Sequence, residues 1–463
     1  MKKAVIKPTI LLGAAGALSL IGLLAGGPAD AAPTFRIGVK LTTGAQQPPT
    51  TAQCLADYGV PCYDPQQMRA AYGVDSLINA GYTGAGETIV LIESYGSPTL
   101  EADLEQFDAD FGLPDPPSLK VLAPLGPIPP FDSTQPDQVG WAIETSLDVQ
   151  WAHAMAPGAS IVVLASPVDE TEGVQGLPEF LAMEQYALDH HLGKIISQSW
   201  AATENTLFPD VAGPQGPRVF SDFNFFYAFA ALNHVTVLAS TGDDGSQNAA
   251  TYSAALGGPT SFYTFPTVNF PASSPLVTAV GGTTLFLDAQ GHYQYETVWN
   301  DSVSPFGPAG AGGGGISQVF PMPEYQQQSL PHSVRQELHD HRGIPDLSYN
   351  ADDVNSPVLV YVGIYGQYLP IGGTSCGSPQ WAGIVADLNQ YAGAPLGFLN
   401  PRLYAIGGQG QFPNFGHDVK IGNNAYGGVP GYSATVGWDP ASGWGTPKLN
   451  QILSRWSEFA GAQ

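Results

Sequence analysis

Short, unbroken β-branched runs alternate with helix-period segments along most of this chain. The runs lie at 88–92, 160–164, 194–197, 235–239 and 358–362. A strand covered on one face alternates apolar and polar residues, whereas one covered on both reads as a continuous apolar stretch. Between the runs, helical periodicity marks 99–111, 137–154, 178–191 and 219–232. The alternation predicts an α/β fold: a doubly wound, mostly parallel sheet with helices on both faces. Small-residue turns after strand ends, such as Ser240-Thr241-Gly242-Asp243, are where such sheets place their sites. Gly- and Pro-rich stretches at 244–275 and 299–330 predict long ordered loops. No internal repeat or charged linker breaks the pattern, so 65–463 reads as one domain. A Pro-, Gln- and Thr-rich segment at 32–64 precedes it and is expected to be irregular.

The N-terminus reads as a signal peptide over 1–31. Lys2, Lys3 and Lys7 precede an apolar run at 10–24, and Ala29-Asp30-Ala31 supplies a small-residue cleavage site. No other stretch is long and apolar enough to cross a bilayer, so the expectation is a secreted protein with no membrane contact after cleavage. Forty Asp and Glu face fifteen Lys and Arg, a net charge of −25. That balance argues against nucleic-acid binding, which needs basic patches. It also predicts acid tolerance, because little fixed positive charge remains to repel itself once carboxylates protonate. Of three cysteines, Cys54 and Cys62 could pair in an oxidising compartment, while Cys376 reads as a small buried residue.

The strongest chemical signal is Gly373-Thr374-Ser375, running into an apolar helix with Pro379 four residues on. This layout presents a hydroxyl at a helix N-terminus, where unpaired N–H groups favour developing negative charge. It suits a nucleophilic serine. Glu144 and Asp148 stand four apart beside the stripe Val139, Ile143 and Leu147. They are either a proton-sharing pair or two solvated carboxylates on an exposed edge. A subtilisin-type enzyme would add a histidine base and an aspartate orienter. Here the first strand ends Glu93-Ser94-Tyr95-Gly96 and no His-Gly-Thr follows. His153 is the nearest candidate histidine, and its expected use is structural.

Taken with Thr236 to Asp243, Ser197-Gln198-Ser199-Trp200, Phe270 to Pro275, Pro345-Asp346 and Gly437-Trp438-Asp439-Pro440, these residues resemble the sedolisin family of serine-carboxyl peptidases. The resemblance runs in order over about 65–450 and implies a subtilisin-like fold. It also implies acid peptide hydrolysis, as an endopeptidase or a tripeptidyl peptidase, on a peptide or protein substrate. Ser375 would be the nucleophile, Glu144 the base, Asp148 its proton-sharing partner and Asp243 the oxyanion-side donor. Model carboxyl values match such a base to roughly pH 3–5. One structural calcium ion is implied at the side chains of Asp418 and Asp439 and the carbonyls of Val419, Thr435 and Gly437, with Thr435 standing where the family often has glycine. Gly312 to Gly315 offers either a wall for a peptide backbone or a plain flexible loop. Family members carry a large N-terminal prodomain, whereas about thirty residues separate the signal from the domain here. The expected state is a monomer. The alternatives are a serine hydrolase with a histidine base and an inactive peptidase-fold binding protein.

Overall fold

Alternate residues of a single strand serve two separate cores. In β1 (Thr88–Ser94), Ile89 and Leu91 join one buried cluster, and Val90 and Ile92 join the other. Two-sided burial is why the run is apolar throughout. A computed structural model describes residues 36–37, 47–253, 258–302 and 310–462, so the expected signal peptide lies outside the described residues.

The other strands of the central sheet are β2 (Leu119–Leu122), β3 (Ser160–Ser166), β4 (Ile195–Gln198), β5 (Thr236–Ser240), β6 (Thr278–Leu287), β7 (Tyr293–Val298) and β8 (Leu347–Asn350). Their order is β7-β6-β5-β4-β1-β3-β2, and β8 also pairs with β6. Only β7 runs antiparallel to its neighbour. The helices include α1 (Thr51–Tyr58), α2 (Pro65–Tyr72), α3 (Leu100–Phe111), α4 (Pro136–Met155), α5 (Leu177–Asp189), α6 (Gly216–Leu232) and α7 (Gly377–Ala392), with shorter ones between and after them. Leu147 of α4 and Ile384 of α7 pack in the first core, while Phe180 of α5 and Phe223 of α6 pack in the second. This is the expected subtilisin-like arrangement, with helices on both faces.

Three local expectations change. The run at 358–362 forms β9 (Val358–Val362) but stays out of the central sheet. It pairs antiparallel with β10 (Gln367–Gly372), because the short turn between them closes a hairpin more readily than a crossover. Arg36–Ile37 adds to the other side of β10. The segment at 32–64 is not wholly irregular: α1 occupies 51–58, with Thr50 and Gln53 in a capping box and Cys54 disulfide-bonded to Cys62. The two long loops also contain paired strands, at Ala249–Ser253 with Gly258–Phe262 and at Gly315–Pro321 with His341–Ile344. β6 escapes the sequence pattern because Gly281-Gly282 interrupts its apolar run.

Buried polar links lock the sheet to its surroundings. Asp346 accepts the Ala279 N–H at 2.8 Å and the Arg342 guanidinium at 2.7 and 2.5 Å, both side chains fully buried. Removing either partner would strand a buried charge, at a cost of about 3–5 kcal/mol. On the first-core face, α7 crosses α4 at Gly383, where a Cβ would come 2.6 Å from that of Met155. This close approach brings the start of α7 over the middle of α4. From Trp141 to Met155 every residue of α4 is buried, including Glu144 and Asp148, so the exposed-edge reading of that pair fails.

Burial raises many carboxyl pKa values in this fold. Glu93, Glu144, Glu170 and Glu184 lie well above the ordinary range, Asp169 and Glu204 are pushed up to about 7, and Glu172 to about 8. A group whose folded pKa is raised stabilises the fold below its unfolded pKa, and that stability is lost as pH rises through the folded value. The melting temperature is therefore expected to fall between pH 4 and pH 8.5, by at least about 10 °C given several such groups. Calorimetry across that range checks it, and a protein more stable at pH 8.5 than at pH 4 would contradict this account of the core.

Candidate active site

β10 ends at Gly372 and delivers the chain into the turn that carries Ser375. Gly373 adopts φ +113°, a conformation open chiefly to glycine, and a single turn at Thr374–Cys376 leads into α7. Ser375 is buried, with its hydroxyl 3.5 Å from the Ser199 carbonyl just beyond β4. Cys376 beside it is buried and unbonded, and burial raises its thiol pKa, so it is a packing residue as expected.

Glu144 meets this turn from α4. Neither of its oxygens makes a hydrogen bond of full geometry, and burial, then the charge of Asp148, raises its pKa well above the ordinary range, with the Ser375 and Ser199 hydroxyls opposing. Asp148, one turn on, takes the Ser199 hydroxyl at 3.0 and 2.8 Å on its two oxygens. Burial pushes Asp148 up to about 7, with hydrogen bonds from Ser199, Glu93 and Glu144 opposing. Glu93, at the end of β1, is the residue that sequence reasoning missed. It is fully buried, and its pKa is raised by burial first, then by the charges of Asp148 and Glu144. Three touching carboxyls without a cation must hold protons between them. The available signal was a charged residue closing an otherwise apolar strand.

Asp243 follows β5. The Thr374 N–H and hydroxyl donate to its Oδ1 at 2.8 and 2.9 Å, and the Thr374 hydroxyl accepts the Gly242 N–H at 2.9 Å. The carboxyl is thereby oriented one residue from Ser375, and its charge acts on Glu144. All four sequence-predicted residues thus converge where β5, α4 and the start of α7 meet. His153 does not join them. Its Nε2 lies 2.8 Å from the Pro114 carbonyl and 3.3 Å from Asp108, in a buried structural contact away from the serine. Gly312 to Gly315 is buried, with the Gly313 N–H donating to the Gly242 carbonyl at 2.7 Å. It buttresses the turn that carries Asp243.

Of the calcium candidates, Asp418 lies against Gly437 and Asp439 against Thr435, and the Lys420 ammonium stands 3.5 Å from Asp418. The Gly437 N–H lies 3.2 Å from both Asp418 oxygens, and the Thr435 N–H donates to Asp439 Oδ2 at 2.7 Å. Among the described residues, nothing donates to the carbonyls of Val419, Thr435 or Gly437. Carboxylates and undonated carbonyls are the all-oxygen donor chemistry that suits a hard cation such as calcium.

No protein-family model matches the chain. Kumamolisin from Bacillus sp. (strain MN-32) is 34% identical over 389 residues, covering 83% of this chain and 62% of that protein. Sedolisin from Pseudomonas sp. (strain 101) is 32% identical over 404 residues, covering 87% and 62%. Tripeptidyl-peptidase 1 from Canis lupus familiaris is 30% identical over 327 residues, covering 67% and 51%. The chain thus spans about three-fifths or less of the length of these curated relatives. Among solved structures, Pseudomonas sedolisin (serine-carboxyl proteinase), complexed with two molecules of pseudo-iodotyrostatin, superposes with a TM-score of 0.69 at 29% identity. That match covers 85% of this chain and 98% of the other. Relatives across most of its length, and a subtilisin-like fold with a serine set against paired carboxyls, place this chain in the sedolisin family.

Proposed function

We propose that this protein hydrolyses peptide bonds in acid through a serine acyl-enzyme, as an endopeptidase or a tripeptidyl peptidase. The observation that carries the reading is the packing of the Ser375 turn against the buried Glu144 and Asp148 of α4, with no histidine among the described residues at the site. Glu144 takes the serine proton as Ser375 attacks the carbonyl carbon, then returns it to the leaving amine. Asp148, held by Ser199, steadies Glu144 through the proton they share, and Glu93 extends that network. Asp243 accepts both Thr374 bonds on Oδ1. Protonated in acid, it would donate to the oxyanion together with the Ser375 N–H. Ser375 is covered in this conformation, so an entering peptide must displace its cover. The Cys54–Cys62 disulfide supports the reading of a secreted protein. No helix among the described residues is long and apolar enough to cross a membrane.

Ser375→Ala and Glu144→Gln are each expected to lower kcat on a quenched-fluorescence peptide at least about a thousandfold, with unchanged circular dichroism. A variant keeping a tenth of the activity would end this assignment.

The working state carries one proton between Glu144 and Asp148. More acid puts a proton on the base, and higher pH removes the shared proton; both steps belong to the pair, and burial moves them upward. A bell-shaped kcat/KM profile is expected, falling towards pH 7. Because burial raises both carboxyls, its maximum should lie in the upper part of the pH 3–5 range or above it. Activity that climbs through pH 8 would instead indicate an imidazole-type base.

We infer one structural calcium, held by Asp418, Asp439 and the carbonyls of Val419, Thr435 and Gly437. Bound there, it would tie the two C-terminal loop segments together. EDTA is expected to lower the melting temperature by several degrees, restored by calcium and not by magnesium, which prefers a smaller and stricter octahedral shell. An unchanged melting curve in chelator would remove the ion from the account.

A further inference from the structure

One acidic stretch at the sheet's C-terminal edge stands outside this chemistry. After β3 the chain runs Pro167-Val168-Asp169-Glu170-Thr171-Glu172. Asp169 Oδ1 accepts the Trp141 indole N–H at 2.7 Å, which ties it to α4 one turn before Glu144. Glu172 accepts the Thr203 N–H at 2.8 Å and the Thr203 hydroxyl at 3.1 Å, which ties it to the segment that follows Ser199. The stretch therefore bridges the two elements that frame the serine. Between these anchored residues, Glu170 is fully buried, and neither of its oxygens is hydrogen-bonded. Asp169 Oδ2 is buried and equally bare.

No Lys, Arg or His among the described residues acts on any of the three. The titratable groups that face them are Asp137 on α4, Tyr95 after β1, Asp244 after β5 and Tyr263 from the 249–262 hairpin, all neutral or negative. Three bare oxygens on two acids, beside a third, anchored acid, make a set of acceptors without a donor. An ammonium or guanidinium is the group that satisfies such a set, through charge-assisted hydrogen bonds.

We propose that Asp169, Glu170 and Glu172 form a cation subsite between α4 and the segment that follows Ser199, taking a substrate's basic side chain or its terminal ammonium. The inference rests on the peptidase reading above. Burial, then the charges of Glu172 and Asp169, hold the Glu170 pKa up, so the empty subsite is largely neutral in acid. A cation arriving beside it favours the ionised carboxyls, which release protons to solvent. The advantage of a basic substrate therefore grows as pH rises within the active range.

Peptides with lysine or norleucine scanned through each position, each acetylated or with a free N-terminus, test this. Norleucine keeps the apolar stem and removes the charge. At pH 5.5, either acetylated peptides with lysine at one position or free-amine peptides are expected to show kcat/KM about tenfold or more above their uncharged counterparts, through KM. The two arms thus separate a side-chain ligand from a terminal one. Glu170→Gln should reduce that advantage to within about twofold and leave the norleucine peptide unaffected. In the unaltered protein the ratio should rise from pH 3.5 to pH 6, a readout independent of whether the variant folds. Equal rates for charged and uncharged peptides at every position, a flat ratio across pH, or an advantage intact in Glu170→Gln would each overturn the subsite. Fluorescence anisotropy of the same peptides on Ser375→Ala reads the preference without turnover. A protein that cleaves none of them refutes the peptidase reading, while the anisotropy still decides the subsite.

Discussion

Three carboxyl groups meet in the interior of this protein, and no cation among the described residues balances them. Glu93, Glu144 and Asp148 are fully buried at the junction of β1 and α4, and hydroxyls are the polar groups that serve them. Charge in such a place is tolerated only when it is paired or neutralised, so protons must take the part that lysine or arginine plays elsewhere. That requirement links the catalytic proposal to the stability of the fold. The protons that let the three acids share one pocket are the protons a serine base would handle.

The sheet supplies the framework for this arrangement. Glu93, Ser199 and Asp243 each stand at or just beyond the C-terminal end of a parallel strand, while the paired acids come from α4 and the nucleophile from the start of α7. α4 can carry two acids through the core because α7 lies close against it at Gly383 and water is excluded. A histidine is available on α4 as well, but it points to Pro114 and Asp108. The helical turn that puts Glu144 and Asp148 on the serine side puts residue 153 elsewhere. Helix phase therefore selects carboxylate rather than imidazole chemistry.

Scarcity of cations recurs beyond this centre. Fifteen Lys and Arg cannot pair forty acids, and many of the unmatched ones are inside. At Asp169 to Glu172 the shortage leaves bare acceptors between α4 and the segment after Ser199, where a substrate's own charge would complete them. At Asp346 it is met from within, and there Arg342 does structural work between β8 and its neighbours. The contrast follows from position, since one acid faces the packed middle of the domain and the others face the edge where strands end.

The sequence by itself determined the alternation of strands and helices, the two-faced burial of the sheet, the serine turn and the i, i+4 spacing of Glu144 and Asp148. These are local or periodic properties, written in neighbouring residues. Only the tertiary structure decided that the acid pair is buried rather than exposed, that Glu93 joins it, that β9 forms a hairpin outside the sheet, and that Gly312 to Gly315 braces a turn. Each of those depends on residues 50 or more positions apart in the chain coming into contact, or on which of two possible partners a strand takes. A short apolar run looks the same in either pairing, and a carboxylate looks the same in water or in a core. What separates the cases is the surface laid against them, and that surface exists only once the chain has folded.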